Sequence, residues 1–144
     1  MLDPVIPNGL AQGPDLAALR DELCNHWSAE TAFWPERWTP DRPSVGQCAV
    51  TSMLVFDRFG GDILRTVNQG APHYWNRIDG LEVDLTRDQF DLWDPEEQVT
   101  PVNRNDVESS GPTLADRYQR LVSTRGLAPL RVTRAFLRRA LWQG

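Results

Sequence analysis

The chain has no lysine: its fifteen basic residues are all arginine, and twenty Asp plus Glu leave a net charge of −5 over 144 residues. Without a cationic surplus there is no broad field to hold a phosphate backbone, so nucleic acid is not expected as a partner. Long hydrophobic runs are missing too. The longest uncharged apolar stretch, Ala49 to Phe56, is far short of the ~20 residues that span a bilayer, so no membrane is expected either. The N-terminus, Met1-Leu2-Asp3-Pro4-Val5-Ile6-Pro7, has an acid where a secretory leader carries basic charge and prolines where it carries an apolar core, which predicts a cytoplasmic location. Cysteine is scarce. Cys24 and Cys48 can pair only once, and in a reducing compartment free thiols are expected. With the two histidines, His26 and His73, they match no compact zinc-ligand spacing, so neither a metal nor another cofactor is expected.

What is present is the composition of a globular protein, 40% hydrophobic and 24% charged with six Trp and five Phe. Its length predicts a single domain over 1–144, with an extended arm at 1–13 and a helical extension at 126–144. Leu16, Leu19, Leu23 and Trp27 repeat at helical spacing and predict a helix from about Asp15 to His26, carrying Cys24 and His26. Trp27 to Pro43, with its three Trp and three Pro, reads as an aromatic flap or a plain cover over the core. Ser44-Val45-Gly46-Gln47 has capping-box spacing, so a largely buried helix is expected to begin there, with Cys48 in its first turn and Gly60-Gly61 at its end.

A short strand is expected over Asp62 to Val67. Two more, His73 to Ile78 and Leu81 to Thr86, flank Asp79-Gly80, a dipeptide suited to the positive φ angles of a tight hairpin. If Ile78 faces Leu81, then Arg77 faces Glu82, Asn76 faces Val83, Trp75 faces Asp84, Tyr74 faces Leu85 and His73 faces Thr86. Alternation then puts Tyr74, Asn76, Ile78, Leu81, Val83 and Leu85 on a core face, and His73 and Asp84 together on a polar one. Thr86-Arg87-Asp88-Gln89 repeats the capping-box spacing and predicts a short helix through Leu92 or Trp93. A polar stretch to Gly111, a helix over Leu114 to Val122 and an amphipathic helix over 132–142 complete the chain.

A cysteine in a helix's first turn meets unpaired N–H groups and the positive end of the dipole, which favour a thiolate. Cys48, then His73 on one strand and Asp84 on the next, supply nucleophile, base and orienter in the order used by papain-like and transglutaminase-like enzymes. The Cys48 N–H offers one donor to an oxyanion. Gln47 is the nearest candidate for a second, although a side chain held in a capping box cannot also meet substrate. Asn76 is a rival orienter. Trp34 and Trp75 are candidate walls of a substrate groove, or simply core cover.

Several motifs in this order resemble the YunG-like family of small bacterial proteins. They are Trp27-Ser28 with Thr31, Pro43-Ser44, Gly46-Gln47-Cys48-Ala49-Val50-Thr51, Phe59-Gly60-Gly61 with Ile63-Leu64, His73-Tyr74-Trp75-Asn76-Arg77, and Asp84-Leu85-Thr86 with Gln89-Phe90. The resemblance implies an α+β, papain-like fold in which the nucleophile helix packs on a small antiparallel sheet with Cys48 and His73 at its centre. It implies no substrate.

The expectation is a cysteine-dependent amide or ester hydrolase or acyltransferase, acting on a small molecule or peptide through a Cys48 thioester with His73 as base. The competing expectations are an inactive module that binds a protein partner through the flap, the segment 94–111 or the arginine-rich tail, and a redox-sensing thiol at Cys48. Cys48 as an ordinary buried thiol, His73 as a satisfied strand histidine, and Asp84 as a cap or a partner of Arg77 or Arg87 are the structural alternatives.

Overall fold

A computed structural model describes residues 1–123 and Leu127. It is an α+β arrangement of four helices and a four-stranded antiparallel sheet among the described residues. Helix α1 (Gly13–His26) begins with Pro14 in its first turn and buries Leu16, Leu19 and Leu23 along one stripe, with Trp27 buried just beyond its end. Two single 3-10 turns, Ala29–Thr31 and Pro35–Arg37, give the aromatic segment local order. Helix α2 (Cys48–Phe59) is buried at every residue from Cys48 through Val55. A helix that is apolar on all sides belongs in the interior, and α2 packs against the sheet on one side and other helices on another.

Strands β1 (Asp62–Asn68) and β2 (Ala71–Ile78) pair antiparallel, followed by β3 (Leu81–Val83) and, after a longer excursion, β4 (Thr100–Val102). The strand order is β3-β2-β1-β4. Asp79 and Gly80 take φ values of 52° and 78°, as a two-residue hairpin turn requires. The expected register holds over Ile78↔Leu81, Arg77↔Glu82 and Asn76↔Val83.

Beyond Val83 the ladder stops, so Trp75, Tyr74 and His73 do not pair with Asp84, Leu85 and Thr86. In the register of this hairpin Asp84 falls at a non-hydrogen-bonded position, with its backbone facing away from β2. Its N–H and C=O exchange two 2.8 Å hydrogen bonds with Val5 of the N-terminal arm. Leu81, assigned to the core face by alternation, is 40% exposed because the hairpin tip projects beyond the core.

Both expected capping boxes are absent. Helix α2 is capped by Gln47 with no side-chain bond, and the Ser44 hydroxyl is buried without a partner. Gln47 is drawn inward instead, accepting from Thr31 Oγ1 at 2.8 Å and donating to the Ser28 carbonyl at 3.0 Å. Ser28 and Thr31 form the reciprocal cap. Likewise Thr86 makes no cap. Its hydroxyl donates to Asp84 Oδ1 at 3.3 Å, and the helix expected through Leu92 or Trp93 shrinks to one 3-10 turn, Arg87–Gln89.

The polar segment 94–111 contributes β4 and a short helix α3 (Arg104–Glu108), which buries Val107. Helix α4 (Leu114–Val122) has the expected bounds and buries Leu114, Arg117, Tyr118 and Leu121. Asp57 near the end of α2 joins both helices: Arg104 grips it with two bonds of 3.0 and 2.9 Å, and the Tyr118 hydroxyl donates to it. The helix expected over 132–142 lies outside the described residues.

Candidate active site

Gly46 makes the turn that delivers Cys48. Its φ is +74°, and a Cβ there would stand 2.8 Å from the Phe33 backbone nitrogen, so both conformation and space call for glycine. The chain then enters α2 with Cys48 as its first residue. The Cys48 N–H is among the helix's early donors that have no intrahelical acceptor.

Three residues far apart in sequence meet at this helix end. His73, fully buried, holds its Nε2 2.6 Å from Asp84 Oδ2. Cys48 is near enough to the same imidazole to help raise it, and because Nε2 is committed to Asp84, Nδ1 is the nitrogen left for sulfur. The thiol also makes a long 3.9 Å contact to the Pro72 carbonyl.

Asp84 is itself surrounded by donors. Oδ1 accepts from the Thr86 N–H at 3.1 Å, and Oδ2 accepts from Arg87 Nε at 2.8 Å as well as from His73. Burial disfavours its charge, but His73 and Arg87 outweigh burial and hold the carboxyl below its ordinary range. Burial likewise opposes a charged His73, yet Asp84 first and Cys48 second overcome it, raising the imidazole from 6.5 to about 9. A buried pair of this kind favours imidazolium over neutral imidazole near neutrality.

Rings enclose the imidazole. Trp75 stacks on it at 5.4 Å, and Phe90 and Trp93 meet it edge-on at 4.9 and 5.6 Å. The Arg87 guanidinium lies 3.5 Å over Trp93, so the cation that steadies Asp84 is itself held by the aromatic wall. On the other side a cavity reaches Cys48, which is itself only 9% exposed. Cys48 lines a cavity of about 350 Å³ whose walls include Phe33, Trp34, Phe90 and Leu114, a size at the lower end of small-molecule sites.

Among the other residues singled out from sequence, Trp34 lines this cavity. Trp75 does not: it stacks on His73 and donates from Nε1 to Glu82 at 2.7 Å. Asn76 donates to the Ser52 carbonyl at 3.0 Å, which ties β2 to α2 and takes its side-chain amide away from His73. Gln47 is fully buried outside the cavity wall. Arg77 pairs with Asp62, so of the two arginines weighed for Asp84 only Arg87 reaches it. Cys24 and His26 remain on α1, and no cluster of three or more metal-ligating side chains occurs among the described residues.

Gln89, expected only as the capping-box partner of Thr86, sits at the junction. It lines the cavity, accepts from the Gly46 N–H at 3.2 Å and places Nε2 3.2 Å from Thr86 Oγ1 and 3.5 Å from His73 Nδ1. Its presence in the quoted motif beside Phe90 was the only available signal. Arg117 was missed too, although an arginine inside the apolar stripe Leu114-Tyr118-Leu121 is a visible anomaly.

No helix of the described residues is long and apolar enough to cross a membrane. No solved structure is a significant match to the chain. An uncharacterized protein YunG from Bacillus subtilis (strain 168) is 36% identical over 99 residues, covering 69% of this chain and 81% of that protein. The profile of the YunG family, described as YunG protein, matches residues 15–125. The match spans Cys48, His73, Asp84 and Gln89, and the chain belongs to the YunG family.

Proposed function

We propose that the protein is a cysteine-dependent acyl-transfer enzyme, an amide or ester hydrolase or an acyltransferase, with a papain-like arrangement of Cys48, His73 and Asp84. The observation that carries the reading is a sealed His73–Asp84 pair at 2.6 Å beside a cysteine that lines a cavity. Buried charge pairs are costly to assemble, and this one is placed where a proton must be exchanged with sulfur.

In the proposed sequence the working form is a Cys48 thiolate beside a His73 imidazolium, the proton of the pair residing on the ring, and the sulfur attacks the substrate carbonyl carbon. A C–S bond forms and the carbonyl oxygen becomes an oxyanion. As the carbonyl reforms, the bond to the amine or alcohol breaks, and His73 returns the proton to that leaving group. Water or an acceptor amine then attacks the thioester while His73 takes its proton. The acyl product leaves, and the thiolate–imidazolium pair is restored.

The Cys48 N–H and the Gln89 amide are the proposed oxyanion donors. An Nε2 hydrogen of Gln89 can point at Nδ1 only while that nitrogen is unprotonated. With His73 as imidazolium the hydrogen is free to meet the oxyanion. Asp84 keeps the ring oriented and its charged form favoured. A cytoplasmic setting, in which the thiol stays reduced, belongs to the same proposal.

The test is acyl-enzyme trapping with p-nitrophenyl acetate. The expected result is a burst of p-nitrophenolate stoichiometric with protein and an acetyl group mapped by mass spectrometry to Cys48, both lost in His73→Gln. Acetylation spread over surface residues, with Cys48 unmodified, would overturn the proposal.

A further inference from the structure

Two arginines line the cavity beside Cys48, and they differ in their partners. Arg65 is half-exposed and pairs with Glu97 at 3.2 Å. Arg117 is only 7% exposed, and its hydrogen bonds go to neutral oxygens: Nε to Thr113 Oγ1 at 3.2 Å and Nη1 to the Thr31 carbonyl at 3.4 Å. Among the described residues no carboxylate reaches it within ion-pair distance. The Phe33 ring lies 5.8 Å from its guanidinium carbon.

A guanidinium has five N–H donors and stays charged in proteins. With two donors engaged, the Nη2 group and one Nη1 hydrogen remain, an arrangement suited to a carboxylate. Burying such a cation without a counter-charge is costly, and burial accordingly pushes Arg117 down from its ordinary value, with Cys48 as the partially compensating charge. That compensation is temporary in the proposed reaction. Acylation turns the thiolate into a neutral thioester and would leave Arg117 without an anion unless the substrate brings one.

We propose that Arg117 receives a carboxylate of the substrate, so that the cavity takes small acyl compounds with an anionic group at one end and an apolar body against Phe33, Trp34, Phe90 and Leu114. This rests on the acyl-transfer reading of the same cavity and names its substrate class. Helix α4 is fixed to α2 by the Tyr118–Asp57 bond, so the guanidinium is held in place before substrate arrives, which lowers the cost of ordering it on binding.

The test uses the full chain with Cys48→Ala, which carries neither thiolate nor turnover, titrated with 3-phenylpropanoate and with 3-phenylpropanamide by NMR. The acid is expected to bind about ten-fold or more tightly than the amide and to shift signals of cavity residues, a preference consistent with one charge-assisted pair. The preference should vanish in Cys48→Ala/Arg117→Gln and survive in part in Cys48→Ala/Arg117→Lys. Equal binding of acid and amide, or no perturbation of the cavity by either, overturns the proposal even if the arginine variants do not fold. Failure of the acyl-transfer reading would show separately, as an unacylated Cys48 in the wild-type trapping experiment.

Discussion

Cys24 and Cys48 both lie on helices, and each has a nitrogen-bearing side chain next to its sulfur. Arg20 Nε donates to the Cys24 sulfur at 3.2 Å, while Cys48 faces His73. Arg20 is already neutralised by Asp88, through bonds of 2.6 and 3.1 Å, and a guanidinium cannot accept a proton in any case. Cys24 is also far along α1 from its N-terminal donors and lines no part of the cavity. Cys48 has a titrating partner, a helix start and a cavity beside it. The contrast shows that a cation beside a thiol does not make a nucleophile; a group able to take and return the proton, next to space for a carbonyl, is also needed.

The comparison breaks most completely at the sulfur itself. Cys48→Ala is expected to lower turnover of a responsive ester by at least about 10⁴-fold, whereas Cys24→Ala leaves the rate within about two-fold, as steady-state kinetics would show. Next comes the orienter. Asp84→Asn should cost roughly 10²–10⁴-fold in kcat, because an amide can neither favour the imidazolium nor satisfy Arg87. Gln89→Ala should cost about 10²-fold in kcat with little change in KM, the pattern of a donor that acts on the oxyanion.

A stability experiment sharpens the same contrast. His73 is raised from 6.5 to about 9 on folding, so its contribution is complete below pH 6.5 and fades as pH rises through 9. Asp84 is lowered, so its contribution is present above the ordinary carboxylate range and is lost in acid. Thermal unfolding of the wild type should therefore weaken between pH 6.5 and 9, by on the order of 3 kcal/mol in the limit of complete titration. His73→Gln should flatten that alkaline decline. Thr51→Val gives the smallest effect. It strands the Trp27 Nε1–H that now donates to Thr51 at 3.0 Å, which should destabilise by about 1–3 kcal/mol in denaturant titration without altering the pH profile of alkylation.

The parts legible in the sequence were those set by local chemistry. Asp79-Gly80 forced a hairpin and with it three residue pairs of register, and apolar spacing located α1, α2 and α4. The positions of Cys48, His73 and Asp84 followed from those elements. What escaped depended on distant partners. Ser44 and Gln47 have the spacing of a cap, but Thr31 and Ser28 claim the Gln47 amide. Asp84 was expected to continue a strand pair, but the ladder ends at Val83 and Asp84 bridges to Val5 of the arm. Strand β4 and helix α3 are too short to show a period, so segment 94–111 looked featureless. Gln89 and Arg117 become meaningful only when the cavity that joins them to Cys48 is known.

Whether His73 keeps the Cys48 sulfur reactive is read from the rate of iodoacetamide alkylation of each cysteine as a function of pH, followed peptide by peptide. Cys48 should alkylate faster than Cys24, because a proton acceptor stands beside only one of the two sulfurs, and His73→Gln should bring Cys48 into line with Cys24. A Cys48 that alkylates no faster than Cys24 at any pH, or whose profile is unmoved by His73→Gln, would contradict the account.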